Sequence, residues 1–162
     1  MGTALIRAVR PAEYDAVGEL TARVYLDEGY GSPQYEARLR DVAGRDASAH
    51  VLVAVLDERV IGAVTLAPYG SDWAEAAEPG NAVIRMLAVS PDARGAGTGE
   101  ALVRACVDLA RAEKCVRIKL STEPTMTAAH RLYDRIGFVR APSDDWEPVP
   151  GVTLLGYRLD LA

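Results

Sequence analysis

Between Leu87 and Val103 the chain reads LAVSPDARGAGTGEALV. Apolar Leu87-Ala88-Val89 closes a strand, Ser90-Pro91-Asp92 breaks it, and a turn holding Gly95, Gly97 and Gly99 leads into a helix. That helix is expected over Thr98 to Lys114. There Leu102, Val103, Cys106, Val107 and Ala110 form an apolar stripe, opposite Glu100, Arg104, Asp108 and Arg111. A strand that delivers a glycine-rich turn to a helix N-terminus gathers unpaired backbone N–H groups and the positive end of the helix dipole at one place. The result is an anion site with no obligatory cation. Arg94 adds a charge-assisted contact, and the glycines allow close approach. Two commoner phosphate motifs fail on the letters. Glu100 stands where a dinucleotide-binding turn needs its last glycine, and no Gly-Lys-Ser/Thr is present.

Working outward, Thr3 to Val9 alternates as a strand, and Pro11 opens a helix with Tyr14, Val17, Leu20, Thr21 and Val24 at helical spacing. A second, shorter helix is expected from Pro33 through Leu39 and Val42. Val51 to Leu56 and Val60 to Leu66, separated by Asp57-Glu58-Arg59, read as a β-hairpin. Pro68 to Gly80 is a long polar connection carrying Tyr69, Asp72, Trp73, Glu75 and Glu78, and Ala82 to Val89 is the next strand. Downstream lie a strand over Val116 to Leu120, a helix over Thr125 to Ile136 ended by Gly137, and strands over Phe138 to Arg140 and Val152 to Leu159. A Pro-rich loop with Trp146 separates those last two. The order is mixed α and β.

The length of 162 residues suits one domain over 1–162, and 49% hydrophobic with 25% charged residues matches an ordinary globular core. A net charge of -5 argues against a nucleic-acid partner, which needs a basic face. Cys106 and Cys115 lack metal-ligand spacing and read as reduced thiols, and His50 and His130 are isolated from any triad or metal constellation. No apolar run approaches the length of a membrane span and the N-terminus lacks a signal layout, so a cytoplasmic location without membrane or metal is expected.

Arg94-Gly95-Ala96-Gly97-Thr98-Gly99 resembles the R/Q-x-x-G-x-G/A element of the GNAT (GCN5-related N-acetyltransferase) superfamily. Ala129-His130-Arg131-Leu132-Tyr133-Asp134-Arg135-Ile136-Gly137-Phe138 resembles that family's A-x-x-L-Y-x-x-x-G-F segment. The resemblance implies a single-domain α/β fold, with a central, mostly antiparallel mixed sheet of about seven strands flanked by about four helices. It also implies acetyl-CoA as co-substrate, lying between the strand that ends at Val89 and the one that begins at Val116. In that arrangement the main chain of Leu87, Ala88 and Val89 holds the pantetheine arm and polarises the thioester carbonyl. Arg94, Gly95, Ala96, Gly97, Thr98 and Gly99 hold the pyrophosphate, and Tyr133 is the general acid for the departing thiolate.

The implied activity is acyl-CoA-dependent transfer of an acetyl group to a primary amine, small or peptide-borne, by direct attack. The alternative is a non-catalytic acyl-CoA-binding or sensing module. Two departures support that alternative. Met126 stands where relatives often have a CoA-contacting Asn, and Ala82-Val83-Ile84-Arg85 lacks the Glu that serves many relatives as base. Glu28, Asp72, Glu75 and Glu78 are candidate proton acceptors by location, and Tyr30, Trp73 and Trp146 are candidate walls for the acceptor. Relatives often dimerise through C-terminal strands, which extends a homodimer to Val152 to Leu159. The acidic net charge mildly favours a cationic acceptor.

Overall fold

In a computed structural model that describes residues 3–27, 29, 33–74 and 77–161, the β-branched runs pair into one sheet. Strands β1 (Leu5–Ala8), β2 (His50–Leu56), β3 (Arg59–Pro68) and β4 (Asn81–Val89) are successive antiparallel neighbours. β4 lies parallel to β5 (Arg117–Thr122), and β5 is antiparallel to β8 (Val152–Asp160). β8 in turn carries β6 (Val139–Arg140) and β7 (Trp146–Val149). Asp57 and Glu58, at φ 51° and 64°, make the β2–β3 turn in the left-handed conformation that strand twist favours in two-residue hairpins.

Alternation along the strands sorts their side chains to two helical layers. Val51, Val53 and Ala63 pack with Val17 of α1 (Tyr14–Asp27) and Val42 of α3 (Val42–Ser48), while α2 (Pro33–Arg40) adds Leu39 to the same side. Leu52, Ala54, Val64 and Ile84 pack instead with Leu102, Val103, Cys106 and Val107 of α4 (Thr98–Ala112) and Tyr133 of α5 (Thr127–Ile136). Each buried side chain of that size stabilises the fold by about 1.5–3 kcal/mol relative to exposure.

The mixed, mostly antiparallel sheet matches expectation, with two additions among the described residues. The helix expected through Val42 divides at Asp41, whose carboxylate accepts the Gly44 N–H at 2.9 Å and so starts α3. The loop around Trp146 contains β7, which pairs with β8 at Trp146↔Leu154 and Val149↔Val152, an edge position that tolerates Pro148. β8 therefore has partners on both sides, and a dimer built on Val152 to Leu159 would have to displace one. No helix of the described residues is long and apolar enough to cross a membrane.

One irregularity organises the centre of the sheet. Thr65 opposes Arg85 and Ala63 opposes Ala88, so Val64 faces two residues, Met86 and Leu87. This is a β-bulge, and Met86 adopts φ 56° within it. A left-handed residue with a side chain costs about 1–2 kcal/mol. Burying Met86 to 4% exposure beside Leu39 and Trp73 offsets that with about 1.5–3 kcal/mol. Ile84, Leu87 and Val89 face α4, whereas Arg85, Met86 and Ala88 all lie on the α1 side. β4 pairs with β5 only from Asn81↔Arg117 to Ile84↔Leu120. Beyond that point β4 stays with β3 and β5 with β8, and the two strands part.

Candidate active site

The parting leaves backbone groups of β4 without a strand partner. Ser90 donates its N–H to the Ile61 carbonyl at 2.8 Å, so by antiparallel alternation Ala88 also directs its main chain at β3. Leu87 and Val89 then present their N–H and C=O groups to the open side. Consistent with this, the Val89 carbonyl accepts from Arg94 Nε at 3.4 Å. Of the three residues singled out in sequence, Leu87 and Val89 can bind through the main chain. Ala88 faces β3, with its side chain 1% exposed.

After β4 the chain makes a 3-10 turn over Pro91–Ala93, and Arg94, Gly95, Ala96 and Gly97 form an exposed loop into α4. Gly97 is the N-cap of α4 at φ 80°, with no side-chain cap, and Gly95 lies at φ 86°. A Cβ on either glycine would find nothing within 4 Å, so the loop is open on the side its missing side chains would fill. Ala101 is the first α4 residue whose N–H reaches a helical carbonyl, that of Gly97 at 3.0 Å. Thr98, Gly99 and Glu100 therefore offer first-turn N–H groups to an anion. A Cβ on Gly62 of β3 would lie 3.0 Å from Leu102 Cδ1 and 3.3 Å from Thr98 Cγ2. The bare backbone there lets the first turn of α4 settle onto the sheet beside the end of β4. Glu100 pairs with Arg104 one turn along α4 and ties α4 to α5 through Arg135, each at 3.0 Å. An extended, amide-bearing carrier arm with a pyrophosphate at one end fits this combination of parted strands and open helix N-terminus.

Tyr133 is 6% exposed, with its ring centroid 5.7 Å from Phe138 and 6.0 Å from Tyr157. Its hydroxyl bonds to none of the described residues. Burial first, and then the neighbouring Cys106, push the phenol well above its ordinary value, so it stays protonated. Met126 caps α5 without a side-chain bond to the helix, and its sulfur accepts from Thr122 Oγ1 at 3.4 Å. Sequence reasoning missed Glu123, which directly follows β5 beyond the parting. Among the described residues it is the one carboxyl pushed up by burial, whereas Glu13, Glu19, Asp92, Glu100 and Asp145 are held low by hydrogen-bonded partners. Nothing in its sequence context signals that burial.

The other candidates separate. Tyr30, Glu28 and Glu75 lie outside the described residues, Asp72 is exposed, and Glu78 is exposed with Lys119 Nζ 3.9 Å away. Trp73 is 7% exposed and donates Nε1–H to the Gly44 carbonyl at 3.2 Å, so it is packed against α3 rather than free as an acceptor wall. Trp146 is 44% exposed and donates to Ser121 Oγ at 3.2 Å, on the part of β5 that has left β4. His50 bonds to Glu113 and His130 to the Glu123 carbonyl.

The sequence model of the Acetyltransferase (GNAT) family matches residues 14–138. An N-acetylaspartate synthetase of Rattus norvegicus is 36% identical over 110 residues, 66% of this chain and 34% of the relative. The chain thus spans about a third of the length of the curated relatives it matches first. A GNAT-family acetyltransferase from Staphylococcus aureus Mu50 superposes with TM-score 0.80 at 14% identity, covering 98% of this chain and 99% of that one. An acetyltransferase from Salmonella typhimurium, solved with its cofactor acetyl-CoA, superposes at 0.75 with 20% identity over 99% and 95% of the two chains.

Proposed function

This chain belongs to the GNAT acetyltransferase family, and from that membership we propose that it is a single catalytic domain transferring acetyl from acetyl-CoA to a primary amine by direct attack. The observation that carries the reading is the parting of β4 from β5 next to an uncapped α4 N-terminus. Acetyl-CoA supplies an activated thioester. The N–H groups of Thr98, Gly99 and Glu100, with Arg94 and the open Gly95-Ala96-Gly97 turn, hold the pyrophosphate. Val89 binds the carrier arm through its main chain, and the Leu87 N–H is directed at the carbonyl oxygen, where negative charge grows during attack.

Two groups then handle protons. Tyr133 Oη carries the proton for the departing sulfur, and its burial keeps that proton in place across the neutral range. Glu123, whose proton affinity burial raises, accepts the proton that the attacking ammonium must lose. No covalent enzyme intermediate is required.

Thiol release from acetyl-CoA across a panel of amines, amino acids and peptides tests the reading, with acetyl-CoA binding measured on the same sample by calorimetry. Turnover above the amine-free background supports the enzyme. Binding without turnover on any acceptor points to the sensing module, and absence of binding removes both.

A further inference from the structure

The bulge puts Arg85 on the α1 side of the sheet, beside Arg38 of α2 and Arg45 of α3. The Arg38 guanidinium lies 4.6 Å from the centre of the Trp73 ring and that of Arg45 lies 5.6 Å from it. Arg85 donates to the Trp73 carbonyl at 3.1 Å. Tyr25 and Tyr35, with ring centroids 6.3 Å apart, border the group. Arg45 is 1% exposed; its Nη1 donates to the Arg38 carbonyl at 2.7 Å, but its Nε finds no hydrogen-bond partner among the described residues. Burial lowers Arg45 to about 10 against the opposing effects of Tyr35, Asp41 and Tyr25, with a lesser push from the like charge of Arg85, which leaves it charged at neutral pH.

A guanidinium taken out of water with an unmatched N–H is costly. A planar fork of donors in a desolvated site suits a carboxylate, which two such groups can grip at once. The cluster also adjoins the transfer centre. Arg85 and Met86 immediately precede Leu87, whose N–H faces the parted seam. Burial first, then Tyr35 and Tyr133, push the Tyr25 phenol well up, with Arg85 and Arg45 opposing.

We propose that Arg38, Arg45 and Arg85 receive a carboxylate of the acceptor, so that the substrate is a small amine bearing its own carboxylate, a free amino acid, and not a polyamine. The proposal rests on the acetyltransferase reading and names its acceptor class. A partly desolvated charge pair is screened far less than distant surface charges, so the acidic net charge of the whole chain does not decide what this one site binds.

The test has two arms. In the first, succinate, which has the carboxylates but no amine, is titrated into the protein saturated with CoA, for wild type, Arg85→Gln, Arg85→Lys and Arg45→Met. Melting curves and acetyl-CoA titration verify that each variant is folded. Succinate is expected to bind wild type, to lose about ten- to hundredfold in affinity in Arg85→Gln and Arg45→Met, and to recover partly in Arg85→Lys. In the second arm, L-aspartate is compared with its diamide and with putrescine in the thiol-release assay, and the free acid is expected to lead in kcat/KM by at least about tenfold. Equal kcat/KM for acid and diamide, or a succinate titration that is absent in wild type or unchanged in folded Arg85→Gln, overturns the proposal while acetyl transfer stands. Arginine-dependent succinate binding with no turnover on any amine supports the anion site and removes the enzyme reading instead.

Discussion

Replacing Tyr133 with Phe separates a proton donor from a core aromatic. The ring is buried against Phe138 and Tyr157, and all of that packing survives the change. The hydroxyl bonds to no described residue and is not among the sealed, unpartnered polar atoms, so its loss breaks no protein hydrogen bond and should change stability by less than about 1 kcal/mol. The melting temperature should therefore shift by no more than about 2–4 °C. Turnover should fall by about a hundred- to ten-thousandfold, the usual worth of a positioned general acid and about 3–5 kcal/mol of barrier. The assay is thiol release at saturating acceptor, with kcat and KM determined separately and the acetyl-CoA affinity measured by calorimetry. Loss confined to kcat, with the affinity and the melt retained, matches a proton donor. A Tyr133→Phe variant that turns over at the full rate refutes the assignment. So does one that loses stability and cofactor affinity together, because that is the signature of packing.

Gly97→Ala introduces a side chain at φ 80° where no neighbour obstructs it, so its cost is conformational, about 1–2 kcal/mol in a denaturant melt. The same methyl enters the anion loop, and acetyl-CoA affinity should drop while Gly29→Ala, at a similar φ outside the loop, leaves it unchanged. Met126→Asn restores a capping side chain at the start of α5 and should stabilise by about 1 kcal/mol, read as a higher melting temperature. Alkaline stability should fall steeply, because the Cys106 thiol is pushed up to about 12 in the fold from 9.0. The raised value means stability is complete below the unfolded thiol's range and declines as pH climbs above it, by roughly 2–3 kcal/mol near about pH 11. Cys106→Ala should flatten that decline by one proton; an unchanged slope would count against burial of the thiol as its cause.

Much of this architecture is legible in the letters because it depends on periodicity. The stripe Leu102, Val103, Cys106, Val107 and Ala110 of α4 and the runs of β2 and β3 occupy the positions their spacing requires. The glycine turn and Tyr133 are visible as motifs; the turn is open at the start of α4, and Tyr133 lies buried against Phe138 and Tyr157. What escaped depends on single residues acting across space. Asp41 divides a helix through one side-chain bond, and β7 hides behind Pro148 and Pro150. Arg45 gives no sign of burial, since arginine is ordinarily a surface residue and only the fold brings it beneath Trp73. The long polar loop offers Trp73 as a wall for the acceptor, yet its indole is held by the Gly44 carbonyl on another element.

The bulge in β4 escaped for a different reason, and that reason bears on how the molecule could arise. With Met86 taken out, Ile84, Arg85, Leu87, Ala88 and Val89 alternate faces without a break. The opening between β4 and β5 therefore corresponds to a one-codon insertion in an otherwise regular strand. Deleting Met86 would leave every other side chain of β4 on its present face and let β4 and β5 close along their full length. A shortened chain of that kind should fold readily, resist heat at least as well as its parent, and have nowhere to put a ligand.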